Sequence, residues 1–215
     1  MLKLYTYFRS SASFRVRIAL AFKGLGYEAV PIHLTRHGGE QSGEAFRGVN
    51  PAGLVPVLED DGALITQSLA IIEYLEEKHP RPSLLPLDAV ERAYVRSLAL
   101  SIACEIHPLD NLRVLRYLVR DLGVPEDAKN RWYRHWVEQG LGQLEQQVAG
   151  SGRAGRFALG DQVTLAEVFL VPQIFNARRF ECRLDHVPVL TRIADAAMQL
   201  PAFIAAQPDR QPDRE

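Results

Sequence analysis

Residues 2–8 alternate apolar and polar side chains at the two-residue period of a strand. Over residues 13–23 the spacing changes. Phe14, Ile18, Ala21 and Phe22 fall on one helical face, and Gly24 and Gly26 stop the helix. Residues 27–32 read as a second strand. A strand, a helix and a strand in this order favour a parallel pair joined by a crossover helix. Residues 33–43 form a polar loop, with a short helix predicted near 44–47. An extended run at 57–59 follows Pro56, Asp61-Gly62 makes a tight hairpin turn, and 63–65 is a brief strand. An apolar helix then runs to about residue 78 with Ser68 as its N-cap. The order β-α-β-α-β-β-α over ~80 residues predicts a small α/β domain of ordinary size.

The segment 79–86, His-Pro-Arg-Pro-Ser-Leu-Leu-Pro, is a proline-rich connector, and beyond it no strand period appears. Residues 88–119 read as one long helical stretch bent at Pro108. Residues 125–148 read as another, carrying Trp132, Tyr133 and Trp136, which are assigned to the core. Thr164 and Glu167 have capping-box spacing, and Val163 and Val168 are placed to form the hydrophobic staple. A final helix is predicted near 187–199, and the polar, proline-bearing residues 207–215 are expected to fray. The predicted organisation is an α/β domain over residues 1–82 and an all-helical domain over 88–215.

Composition narrows the function. A chain of 215 residues, 47% hydrophobic, suits one large or two small domains with a full core. Basic and acidic residues nearly cancel, 25 against 26, which removes the electrostatic case for nucleic acid. No apolar run approaches the ~18–20 residues of a membrane span. The first residues alternate like a strand and lack the apolar core of a signal peptide. Cys104 and Cys182 have no paired spacing, which suits a reducing cytosol and gives no sign of a disulfide framework or zinc site. His33 and His37 lack a third ligand and read as solvated, and His79, His135 and His186 have no constellation, so no metal is expected.

The candidate chemistry concentrates in residues 50–75, which read as a device for holding a short peptide by its backbone and carboxylate. The Val55-Pro56 pair sits where cis peptide bonds occur, and a cis bond there would turn the N–H and C=O of Val55 outward. Gln67-Ser68 opens a helix whose unpaired N–H groups attract an anion. Ser10 lies between the first strand and helix, where a helix cap is the usual job of serine. His107 and Asn111 are four apart, which predicts one shared helix face. Arg178 and Arg179 end a predicted helix, where the dipole favours cations. Arg15 and Arg17 read as salt-bridged or exposed structural residues.

Asn50-Pro51, Val55-Pro56, Asp61-Gly62, Gln67-Ser68 and Ile71 form a composite that resembles the glutathione transferases, as does Gly160-Asp161 with Thr164 and Glu167. The resemblance covers almost the whole chain. It implies a thioredoxin-like α/β N-terminal domain followed by an all-α C-terminal domain. Three stretches are similar to the zeta class: residues 7–20 (Tyr-Phe-Arg-Ser-Ser-Ala-Ser-Phe-Arg-Val-Arg-Ile-Ala-Leu), 106–112 and 171–180. That class includes maleylacetoacetate isomerases and bacterial maleylpyruvate isomerases. Zeta proteins usually carry cysteine where this chain has Ala12. The missing thiol leaves glutathione as the nucleophilic sulfur at this position and shifts some weight toward the maleylpyruvate enzymes.

By resemblance, then, the cofactor is glutathione. Ser10, with Ser11 as second candidate, meets its thiolate. Gln67 and Ser68 hold its γ-glutamyl end, Val55 before Pro56 pairs with its cysteinyl backbone, and Gln41 reaches its glycyl end. Arg15, His107 and Asn111 complete the binding set, the last two on a face expected to line the cleft opposite Ser10. Arg9 and Arg179 are the candidate ligands for a substrate carboxylate and developing enolate, and His107 can shuttle a proton. The activity implied is glutathione-dependent cis–trans isomerisation of maleylacetoacetate to fumarylacetoacetate in aromatic amino acid catabolism. The alternatives are maleylpyruvate isomerisation, or conjugation and dehalogenation of small α-halo acids, or peroxide reduction, on the same site. A non-enzymatic binding module is disfavoured because Ser10, Pro56, Gln67 and Ser68 are all kept. A cytoplasmic homodimer is expected from resemblance alone.

Overall fold

Strands β1 (Lys3–Thr6) and β2 (Glu28–Pro31) pair in parallel, joined through helix α1 (Ser11–Phe22). The structure is a computed structural model that describes residues 1–215. After a polar loop and the short helix α2 (Glu44–Val49), strands β3 (Val57–Asp60) and β4 (Ala63–Thr66) form a hairpin at Asp61-Gly62. β3 runs antiparallel to β1, giving a mixed four-stranded sheet in the order β2-β1-β3-β4. Helix α3 (Ser68–Lys78) follows. This is the thioredoxin-like arrangement. Met1–Leu84 and Gln199–Glu215 make up one unit, and Leu85–Met198 a second.

The core of the first unit is built from Leu4, Phe14, Ile18, Leu58, Ile71 and Leu75. Helix α1 is buried on nearly all sides from Ser13 to Leu20, which explains why only part of its apolar face was legible as a period. Arg15 and Arg17 lie inside this helix at 2% and 1% exposure, so the expectation that they are exposed is corrected. Arg17 is satisfied by neutral oxygens. Its guanidinium donates to Thr6 Oγ1, Tyr7 O, Phe8 O and Ala206 O. Burial pulls its pKa down to about 10.

The proline-rich connector is tied down by one lysine. Lys23 Nζ, fully buried, pairs with Glu76 Oε1 at 2.6 Å and donates to the carbonyls of His79 and Pro82. Glu76 in turn accepts from Ser83 Oγ and Leu84 N. The peptide bonds before Pro56 and Pro82 are cis.

Residues 207–215, expected to fray, are instead tied to the rest of the unit. Helix α9 (Pro201–Ala206) packs against α1, and the chain continues through a 3-10 turn at Pro208–Arg210 into contacts with the β1–α1 loop. The attachment is long-range, made by the buried Phe203 and Ala206 and by polar contacts of Asp213 and Glu215, and nothing local in a polar, proline-bearing segment signals it.

In the second unit, Asp88 caps helix α4 (Ala89–Leu100) by accepting from the N–H groups of Val90 and Glu91. The predicted long bent helix is interrupted more severely than a bend. It widens to a π turn at Ser101–Ile106, tightens to a 3-10 turn at His107–Asp110 with Pro108 in its first turn, and restarts as α5 (Leu112–Arg120). Helix α6 (Glu126–Gly150) crosses the π turn closely, because a Cβ on Gly140 would meet Ile106 Cγ1 at 2.4 Å. Tyr133 on α6 is buried and stacks on Phe180, while Trp132 and Trp136 are half-buried. Helix α7 (Leu165–Arg179) is the central, almost wholly buried helix, begun by the expected capping box. Glu167 accepts from Thr164 N at 2.7 Å, Thr164 Oγ1 at 2.9 Å and Ala158 N at 2.8 Å. Glu145 on α6 caps α8 (Pro188–Ala197) through Val189 N and Leu190 N. No helix is long and apolar enough to cross a membrane, and no group of three His, Cys, Asp or Glu could hold a metal ion.

Candidate active site

Three pieces of the first unit place the cradle residues. The first is the start of α1. Ser10 is its N-cap, with extended backbone, and Oγ accepts from Ser13 N at 3.2 Å. A hydroxyl has one hydrogen and two lone pairs, so capping through oxygen leaves the hydrogen to donate. The cap and the thiolate contact are therefore compatible. Ser11, at the first helical position, is buried at 6% exposure.

The second is the segment before β3. Val55 and Pro56 are buried, and neither the N–H nor the C=O of Val55 enters a hydrogen bond within the chain. These groups are therefore left without a partner from the chain itself.

The third is the start of α3, where one expectation is corrected. Ser68 is not the N-cap. Gln67 holds that position with a positive φ of 70°, makes no side-chain cap, and Ser68 is the first helical residue. The N–H groups of Ser68, Leu69 and Ala70 have no acceptor in the chain. Such a helix start, with the dipole behind it, is an anion site. Arg15 reaches it from α1, donating from Nη1 to Ser68 Oγ at 3.3 Å. Its neighbours in sequence alone suggested a structural role for Arg15, whereas the fold brings its guanidinium to the start of α3.

Gln41 lies in a 3-10 turn and is buried. Its Nε2 donates to Leu34 O at 3.5 Å, and its Oε1 is buried without a partner. Arg9 is half-exposed. Its Nη2 donates to Tyr7 Oη at 3.1 Å, and the guanidinium lies 4.7 Å from the centre of the Phe8 ring. His33, expected to be solvated, is buried. Its Nδ1 accepts from Arg36 N at 2.8 Å and its Nε2 contacts Glu215 at 2.9 Å.

The remaining candidates belong to the helical unit. His107 sits in the 3-10 turn, and Asn111 is the extended N-cap of α5, accepting from Arg113 N at 3.1 Å. The shared helix face inferred from their spacing therefore does not exist, because Pro108 breaks the helix between them. Arg179 is the last residue of α7, exposed, with its guanidinium 5.1 Å from the Phe180 ring centre. Sequence reading missed Asp110. Both of its carboxyl oxygens are buried without partners, and burial pushes its pKa up to about 8. No local signal marks an aspartate as desolvated.

Residues 4–83 match the glutathione S-transferase N-terminal domain family. The chain is 49% identical to a probable maleylacetoacetate isomerase of Vibrio cholerae over 210 residues, covering 98% of this chain and 97% of that one. It superposes on a maleylpyruvate isomerase, a bacterial zeta-class glutathione transferase, with a TM-score of 0.96 at 43% identity, covering 99% of this chain and 100% of that one. A maleylacetoacetate isomerase of Anaeromyxobacter dehalogenans, solved with glutathione in its active site, gives a TM-score of 0.90 at 45% identity over 100% of this chain and 98% of that one. The same enzyme has been solved with dicarboxyethyl glutathione and citrate bound. With this identity running the full length of both units, the chain belongs to the zeta-class glutathione transferases, the family of the maleylacetoacetate and maleylpyruvate isomerases.

Proposed function

We propose that this protein is a glutathione-dependent cis–trans isomerase that converts maleylacetoacetate to fumarylacetoacetate. The observation that carries the reading is the open start of α3, three unaccepted N–H groups with Arg15 donating to Ser68, together with the unbonded backbone of Val55. These features suit a small peptide with a carboxylate at one end. The relatives named above supply the identity of that peptide and of the reaction.

A cis carbon–carbon double bond does not rotate at ambient temperature. The glutathione thiolate adds to one alkene carbon, the electron pair moves onto the conjugated carbonyl oxygen as an enolate, and the former double bond becomes single. Rotation follows. The enolate then collapses, re-forms the double bond in the trans geometry and expels the same thiolate. No net proton or electron is exchanged, and glutathione is returned each turn. Ser10 donates its hydrogen to the thiolate while its oxygen keeps the cap. Gln67, Ser68 and the α3 N-terminus hold the γ-glutamyl carboxylate and amine, Val55 holds the cysteinyl backbone, and Gln41 takes the glycyl end. Arg9 and, from the helical unit, Arg179 have the planar donors that suit a substrate carboxylate and enolate. His107 has the chemistry to serve the keto-enol end. The protein acts as a homodimer.

A second reading, maleylpyruvate as substrate, is favoured by Ala12, which leaves the start of α1 without a protein thiol. Specificity constants for maleylacetoacetate and maleylpyruvate decide between the two. If neither diacid is isomerised in the presence of glutathione, the proposal is wrong.

A further inference from the structure

The loop that carries Arg9 and Ser10 is held by the other end of the chain. Phe8 N–H donates to Asp213 Oδ2 at 2.9 Å, a contact spanning 205 positions of sequence. The carbonyl of Phe8 accepts from Arg17 Nη2 at 2.9 Å, and Arg17 Nε donates to Ala206 O at the end of α9 at 3.1 Å. Both backbone polar groups of Phe8 are thus tied, directly or through Arg17, to residues 206–213.

Glu215 extends the clamp to Arg9. Its Oε1 accepts from His33 Nε2 at 2.9 Å and from Arg36 Nη2 at 2.5 Å. His33 Nδ1 already accepts from the N–H groups of Arg36 and Thr35, so the ring proton sits on Nε2 and points at Glu215. Anchored in this way, Glu215 offers Oε2 to Arg9 Nη2 at 3.6 Å. The same Nη2 donates to Tyr7 Oη. Every polar contact of the Arg9 guanidinium falls on Nη2, and none falls on Nε or Nη1.

We infer that Glu215 and Asp213 are positioning residues, which hold Arg9 by its Nη2 so that the Nε–H and Nη1 donors are left, in a fixed orientation, for the substrate's carboxylate. This rests on the assignment of Arg9 to the substrate. A long exposed arginine loses rotamer freedom when it binds. The tail removes that freedom beforehand, as preorganisation requires. Val55, Gln67 and Ser68, assigned to the glutathione backbone and γ-glutamyl end, lie outside this loop, so glutathione affinity should change little when the tail is altered.

The test uses the full chain and five variants: Arg9→Ala, Glu215→Ala, the double variant of these two, Asp213→Ala and Asp213→Asn. Glu215→Ala should raise KM for the diacid by about tenfold, an ångström-scale misplacement effect, with glutathione Kd and thermal midpoint close to wild type. In the Arg9→Ala background the same substitution should add nothing. Asp213→Asn, whose amide oxygen still accepts from Phe8 N, should restore the KM that Asp213→Ala raises. If Arg9→Ala raises KM while Glu215→Ala leaves it unchanged, the role of the tail is overturned and that of Arg9 stands. If Glu215→Ala lowers KM, the tail competes with substrate and the inference is again overturned. If Arg9→Ala leaves KM untouched, the assignment of Arg9 fails first and takes the tail's role with it.

Discussion

Replacing Ser10 by alanine removes two contacts that can be measured apart. The first is the cap. Ser10 Oγ accepts from Ser13 N at 3.2 Å, at the long end of the hydrogen-bond range, so its loss should cost about 0.5–1 kcal/mol of stability. The second is the donation to the thiolate. A hydrogen bond to a charged group contributes about 1.5–3 kcal/mol. One pKa unit corresponds to ~1.4 kcal/mol, so the bound thiol should titrate about 1–2 units higher in the variant. At neutral pH that lowers the thiolate fraction, and kcat/KM with it, by about 10–100-fold. The assay is the ultraviolet absorbance of the thiolate in the enzyme–glutathione complex against pH, with urea unfolding alongside. Ser10→Gly separates the effects, since glycine caps to within a few tenths of a kcal/mol but carries no hydroxyl. It should show the same thiol shift with little of the stability loss. An unshifted thiol titration in both variants would refute the role of Ser10, and a shift in Ser11→Ala would transfer it to Ser11.

Other outcomes follow from buried charge and from the helical unit. Lys23→Met removes three contacts from a fully buried ammonium and leaves Glu76 without its cation, so unfolding should show a loss of about 3–5 kcal/mol. Asp110 should make the protein less stable as pH rises. Its pKa is about 8 folded and ~3.9 unfolded, so between these values the unfolded chain releases a proton that the native state keeps. Asp110→Asn should abolish that decline and be more stable than wild type at alkaline pH, read by denaturant unfolding across the range. A wild-type stability that climbs through this window, with no gain in the variant, would contradict the burial argument. Arg179→Ala should raise KM for the diacid with glutathione affinity nearly intact, measured by steady-state kinetics and calorimetry. Ser68→Ala should weaken glutathione binding by about tenfold, the worth of one hydrogen bond to a carboxylate.

What could be read from the sequence depended on the range of the interaction. The succession of strands and helices in the first unit, the capping box of Thr164 and Glu167, the hairpin at Asp61-Gly62 and the cis bond before Pro56 were legible, because periodicity, turn chemistry and caps act over a few residues. Ser68 was misplaced by one position because Gln67 adopts a positive φ that no residue preference signals. His107 and Asn111 were put on one face because spacing alone does not show that Pro108 breaks the helix. Arg15, Arg17 and residues 207–215 were misread for a different reason. Their partners lie from nine to more than two hundred positions away, so only the folded chain reveals that the arginines are buried and the tail is clamped.

The most direct test of the account is to follow the fate of glutathione during turnover. Maleylacetoacetate or maleylpyruvate is incubated with the protein and a small, known amount of the tripeptide, and both the trans product and the free thiol are quantified. Many equivalents of trans product per glutathione, the thiol fully recovered at the end, and no turnover when glutathione is omitted would agree with a thiolate that adds and leaves. Product formation without glutathione, or one thiol consumed for each substrate converted, would contradict it.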